Sequence, residues 1–122
     1  MVTRSRQLAA IMFTDIVGYT ALMDEDENAA FEMLERNRAI HSEIIRKCQG
    51  KFLKEMGDGI LASFQTVTDA IYCAGYIQQA CEKEEHLNLR IGIHQGEIVN
   101  QGDDVFGGGV NIASRIQSIA PV

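Results

Sequence analysis

Apolar residues along this chain follow two rhythms. Leu8 to Phe13 is an unbroken apolar run. It closes on Asp15 and a turn containing Gly18, which predicts a buried strand over about Gln7 to Thr14 with Asp15 at its mouth. A short helical piece follows at Thr20 to Met23. Asp26 or Glu27 then opens a long helix to about Cys48. Its expected face is Ala30, Phe31, Leu34, Ile40, Ile44 and Ile45, diluted by Asn37 and His41, with Gly50 as the stop. Lys51 to Met56 alternates partly and reads as a strand. Gly57-Asp58-Gly59 is the expected hairpin, its Asp-Gly supplying positive φ. Ile60 to Phe64 is the returning strand.

Thr66 and Asp69 form a helix-start pair. The helix they open is expected to bury Val67, Ala70, Ile71, Ala74, Ile77 and Cys81. Leu87 to Asn100 alternates, with Leu89, Ile91 and Ile93 against Asn88, Arg90, Gly92 and His94. Gly102 to Gly109 reads as a glycine-rich loop. Val110 to Ile119 reads as a helix with Val110, Ala113 and Ile116 on its apolar side. The order gives an α+β fold of the ferredoxin-like β-α-β-β-α-β kind, an antiparallel sheet with helices packed on one face. The first and third strands are central in that layout, which carries Asp15 towards Asp58 although they are far apart in sequence.

Composition narrows the functions available. The chain has 122 residues, 46% of them hydrophobic, and a net charge of −6. One domain with a real core is the natural reading. No Lys/Arg run supports a nucleic-acid surface. No apolar stretch approaches the ~20 residues of a membrane span, and the basic N-terminus lacks a signal-peptide core. Cys48, Cys73 and Cys81 are odd in number and lack a metal-type spacing, so they read as free thiols against the core in a reducing cytoplasm.

Two carboxylates brought together repel unless a cation sits between them. Oxygen ligands of this kind suit Mg²⁺ or Mn²⁺, and an acidic protein needs such a bridge to hold an anionic substrate. Taken alone, Asp58 is more simply a turn residue. His94 and Glu97 read as structural hydrogen-bonding groups near a sheet end. His41 and His86 read as solvated, and Glu82 to Glu85 as an exposed helix end.

Four motifs stand in one order: Phe-x-Asp-Ile-x-Gly-Tyr-Thr at 13–20, Lys-x-x-Gly-Asp-Gly at 54–59, Ile-Gly-Ile-His-x-Gly-Glu at 91–97 and Val-Asn-x-Ala-x-Arg at 110–115. Together they resemble the catalytic domain of class III nucleotidyl cyclases, over nearly the whole chain. The resemblance implies an adenylyl cyclase that converts ATP to cyclic AMP and pyrophosphate with two Mg²⁺ or Mn²⁺ ions per site. It implies metal ligation by Asp15, Asp58 and the Ile16 carbonyl, and triphosphate binding by the turn Val17, Gly18, Tyr19 and Thr20. Lys54 and Asp104 fall where adenine is selected; guanylyl cyclases typically carry Glu and Cys there. Asn111 resembles the ribose-orienting residue and Arg115 the arginine that stabilises the transition state. A homodimer with sites at the subunit interface is implied as well. Family domains continue beyond the equivalent of Val122, so the chain is expected to be a C-terminally truncated catalytic domain. A guanylyl cyclase, or a silent nucleotide- and metal-binding dimerisation module, are the alternatives.

Overall fold

The computed structural model describes residues 4–85, 87–101 and 104–106, with side chains over 8–85 and 87–97. The elements are β1 (Arg4–Ile16), α1 (Tyr19–Glu25), α2 (Glu27–Lys47), β2 (Lys51–Met56), β3 (Gly59–Phe64), α3 (Val67–Glu82), β4 (Leu89–Gln101) and β5 (Asp104–Phe106). The sheet order is β2-β3-β1-β4-β5, antiparallel at every step. The β-α-β-β-α-β arrangement is therefore present, with β1 and β3 central among its four strands. β5 adds a short edge strand inside the segment expected to be a glycine-rich loop. The helix expected over Val110 to Ile119 lies outside the described residues.

Alternation along β1 divides the molecule into two faces. Ala10, Met12 and Ile16 pack with Met33 and Ile45 of α2 and with Ala70, Cys73, Ile77 and Cys81 of α3. Ala9 and Ile11 pack with Leu61 on the other face, joined by Phe13 and Leu53. By the same alternation Asp15 belongs to this second face.

The helix ends follow local chemistry. Asp26 caps α2, its side chain accepting from the Ala29 N–H at 3.1 Å, and Thr66 caps α3 by accepting from the Asp69 N–H at 3.1 Å. At the far end of α2 the left-handed residue is Gln49, φ 61°. Its N–H reaches the Arg46 carbonyl at 3.1 Å and the Gly50 N–H reaches the Ile45 carbonyl at 2.8 Å, the paired bonds of a Schellman ending. Gly50 is needed for a different reason: a Cβ there would lie 2.3 Å from the Phe64 ring. In the β2–β3 hairpin the loop residues are Gly57 and Asp58, and the positive φ of 60° sits on Gly57. Gly59 instead begins β3, where a Cβ would lie 2.9 Å from the Phe13 ring.

Two helix faces differ from expectation. The buried stripe of α2 is Ala30, Met33, Asn37, His41 and Ile45, while Phe31 is 47% exposed. His41 is thus buried, not solvated, because the stripe turns it towards β1, where it meets Thr14. On α3 the stripe is Ala70, Cys73, Ile77 and Cys81, and Ile71 faces out. The cysteines are free thiols, Cys73 and Cys81 buried and Cys48 half-buried.

Candidate active site

The site grows from the strand register. Thr14 pairs with Ile60 of β3, and the Gly57-Asp58 loop lies just before that strand. Asp58 therefore arrives beside the last residue of β1. The Ile16 N–H donates to Asp58 Oδ2 at 3.0 Å, so two residues 42 positions apart touch. On the other side of β1, Asp15 pairs in register with Arg90 of β4. The Arg90 Nε lies 3.3 Å from Asp15 Oδ1, with both side chains partly buried. Opposite charges across a strand pair support each other.

The two carboxylates lie near enough for the charge of one to act on the other. Burial pushes the Asp58 carboxyl above the usual aspartate range, and the negative charge of Asp15 adds to that rise. The Ile16 N–H, the Asp58 N–H and the Arg90 guanidinium pull the other way. The Tyr19 hydroxyl is likewise raised, first by burial and then by the charges of Asp58 and Glu27. The ends of β1, the β2–β3 hairpin and the start of α1 thus share one electrostatic neighbourhood. Among the described residues no three His, Cys, Asp or Glu side chains gather as a metal cluster. A cation here would rest on the carboxylate pair and on backbone oxygen.

The turn after β1 is built on Gly18, φ 79°, the N-cap of α1. The Leu22 N–H closes on the Gly18 carbonyl at 3.0 Å, and the Val17 N–H is taken by the Asn88 carbonyl at 2.8 Å. Val17 therefore drops out of the set of amides expected to face phosphates. Those of Gly18, Tyr19 and Thr20 remain, at a helix start whose first N–H groups have no intrahelical acceptors. A pocket of about 450 Å³ lies against this turn, lined by Val17, Gly18, Leu22, Met33 and Asn88 among others. Neither carboxylate lines it.

Lys54 reaches the carboxylate face through an irregularity. Phe52 pairs with Ala62, Lys54 with Leu61, and the register shifts between them. Without that bulge Lys54, two residues after Phe52, would share the helix face. With it, Lys54 shares the face of Leu61, Ile11 and Asp15, the re-aiming that bulges perform. Asp104 stands on β5, opposite Gln101 of β4. Although β2 and β5 are opposite edges in the strand order, their Cα atoms come within 8 Å. The strands bearing the expected base-selecting residues thus approach each other through coiling of the sheet. The Asp104 side chain, Asn111 and Arg115 lie outside the described residues.

Arg90 is the site residue that the sequence pattern did not single out. It looked like one polar position in an alternating strand. The signal was available only through the Asp15–Arg90 register, for which β1 must run past Thr14 to Ile16 and pair there with the start of β4.

Comparison with known proteins converges on one family. The pattern described as "Adenylate and Guanylate cyclase catalytic domain" matches residues 1–121. A Rhizobium meliloti (strain 1021) protein bearing an adenylate cyclase name is 36% identical over 123 residues, covering 94% of this chain and 21% of that protein. The adenylate cyclase of Streptomyces coelicolor (strain ATCC BAA-471 / A3(2) / M145) is 33% identical over 116 residues, covering 92% of this chain and 30% of that protein. The chain thus spans less than a third of the length of these curated relatives. Among solved structures, an adenylate/guanylate cyclase/hydrolase from Silicibacter pomeroyi superposes with a TM-score of 0.86 at 35% identity, covering 98% of this chain and 74% of that one. With the β-α-β-β-α-β fold, a carboxylate pair at the tips of β1 and the hairpin, and a family pattern spanning nearly every residue, this chain belongs to the adenylate and guanylate cyclase catalytic domain family.

Proposed function

We propose that the chain is the catalytic domain of an adenylyl cyclase, converting ATP to 3′,5′-cyclic AMP and pyrophosphate. The observation that carries this reading is the Ile16–Asp58 hydrogen bond, which brings Asp58 against the strand end bearing Asp15. Hard carboxylate oxygens with mutually unfavourable charge fit Mg²⁺ or Mn²⁺. Asp15, Asp58 and the Ile16 carbonyl would hold two such ions. Bound there, the ions would activate the ribose 3′-hydroxyl and neutralise the leaving pyrophosphate. Arg90 already balances part of the Asp15 charge, so cation binding competes with a pair of modest strength rather than filling an uncompensated hole.

The other roles follow the same reading. The Gly18, Tyr19 and Thr20 amides face the triphosphate. Asn111 orients the ribose, and Arg115, four residues further along the chain, meets the charge that builds on the α-phosphate. The functional unit is a homodimer, with the ion-binding residues of one subunit facing the base-selecting and transition-state residues of the other. No described helix is long and apolar enough to cross a membrane, and we place the domain in the cytoplasm.

Lys54 and Asp104 supply the preference for adenine. Lysine donates to the N1 acceptor and carboxylate accepts from the N6 amino group, whereas guanine presents the reverse at that edge. Lys54→Glu combined with Asp104→Cys in the full-length protein is expected to lower the ATP/GTP ratio of kcat/KM by at least about 30-fold, the low end for two mismatched groups at ~1–3 kcal/mol each. An unchanged ratio removes both residues from base recognition.

A further inference from the structure

Thr14 is the residue immediately before Asp15, and it is fully buried on the helix face of β1. Its Oγ1 lies 2.8 Å from Nε2 of His41. The His41 Nδ1 lies 2.8 Å from the Asn37 carbonyl oxygen, one turn back along α2. A carbonyl only accepts, so Nδ1 carries the hydrogen and donates to it. Burial holds the imidazole down, to about 4, so the ring is neutral at ordinary pH. Nε2 is then an acceptor, and the Thr14 hydroxyl donates to it. Both polar tips of the ring are used, each in one direction.

This arrangement is costly where it stands. Met12 and Ile16, on the same face of β1, pack among apolar side chains. An apolar pair at 14 and 41 would extend that packing without desolvating an imidazole and a hydroxyl. The Asn37 side-chain amide beside it is also buried, with neither Nδ2 nor Oδ1 hydrogen-bonded among the described residues. Buried polar links give direction where apolar packing gives only contact. Here the direction is fixed one residue from Asp15. Thr14 stands in register between Ile60 and Ile91 of the two flanking strands, and the side-chain link adds the third axis, to α2. Any roll of β1 about its own axis swings the Asp15 carboxylate relative to Asp58, because successive side chains leave the strand on opposite faces.

We propose that Thr14 and His41 are positioning residues for the ion site: their hydrogen bond fixes the roll of the β1 end against α2 and so sets where the Asp15 carboxylate stands beside Asp58. The proposal rests on the reading of Asp15 and Asp58 as cation ligands.

The test is Mn²⁺ binding to the full-length protein, followed by the loss of the free-ion signal in electron paramagnetic resonance, with thermal unfolding recorded in parallel. Thr14→Val removes the hydroxyl at nearly constant shape. It is expected to weaken Mn²⁺ binding by about tenfold, as loss of a group orienting a metal ligand does. Thr14→Ser, which keeps the donor, is expected to stay within about twofold of the wild type. His41→Leu should match Thr14→Val, and the double variant should be no weaker than either alone, because both remove one and the same link. Thr14→Ala replaces Thr14→Val if the latter fails to fold. If Thr14→Val lowers the unfolding temperature but binds Mn²⁺ like the wild type while Asp15→Asn does not bind, the pair is merely structural and the proposal is overturned with the ligand reading intact. If Asp15→Asn binds Mn²⁺ as the wild type does, the ligand reading itself falls and takes the proposal with it.

Discussion

Asp15→Asn and Asp58→Asn, each made in the full-length protein, are expected to lower cyclic AMP formation by at least about 100-fold, a loss of roughly 3 kcal/mol or more in transition-state stabilisation. Both variants should remain folded. Asparagine at 58 keeps a side-chain oxygen that can accept from the Ile16 N–H, which sits 3.0 Å from the carboxylate in the wild type. Asparagine at 15 gives up the ion pair with Arg90, but that pair is partly exposed and contributes at most about 1 kcal/mol. Circular dichroism and unfolding temperature check the fold, and kcat checks the chemistry. The pH profile has a definite sign. Burial first, and Asp15 second, raise the Asp58 carboxyl, and only its ionised form binds a cation. Affinity for the ion on the acid side should therefore fall away at a higher pH than an ordinary aspartate would dictate, which Mn²⁺ titration across pH checks. Turnover near the wild-type level in either variant would show that the ions are not held there.

The second large effect concerns the sharing of sites between subunits. If Asp15 and Arg115 act from opposite subunits, Asp15→Asn and Arg115→Ala proteins are each inactive alone. Co-expressed, they form hybrid dimers in which one of the two interface sites has both residues intact. Random pairing makes about half the dimers hybrids, each with one working site of two, so about a quarter of wild-type activity is the expected ceiling under two-fold symmetry. Verified hybrids with no recovery, from parents that are each folded and dimeric, would contradict the shared-site arrangement.

What the sequence made legible was set by the range of each interaction. The first strand, expected over about Gln7 to Thr14 and running from Arg4 to Ile16, the α2 cap at Asp26, the α3 cap at Thr66 and the β2–β3 hairpin are local, and their residues announced them. The closeness of Asp15 and Asp58 was reachable from topology, because a β-α-β-β-α-β order places the first and third strands side by side. Features that depend on a partner distant in sequence were not legible. Arg90 acquires meaning only in register with Asp15, and Lys54 changes face because of a bulge that no pattern in Lys51 to Met56 reveals. His41 was misplaced because a polar residue in a helical stripe reads as dilution until Thr14 is seen opposite it. Gly50 looked like a helix stop, whereas its constraint comes from the Phe64 ring of another strand. Asn111 and Arg115 enter the proposed function through the resemblance alone, on a stretch that the family pattern spans.

The most direct test of the account is the product formed by the full-length wild-type protein given ATP and GTP side by side, with Mn²⁺ or Mg²⁺, and analysed for both cyclic nucleotides. Cyclic AMP and pyrophosphate in equal amounts from ATP, dependence on the added ion, and much slower formation of cyclic GMP are expected. Cyclic GMP as the main product would overturn the assignment of Lys54 and Asp104. No cyclic nucleotide from a folded, dimeric, ion-loaded protein would contradict the cyclase reading itself.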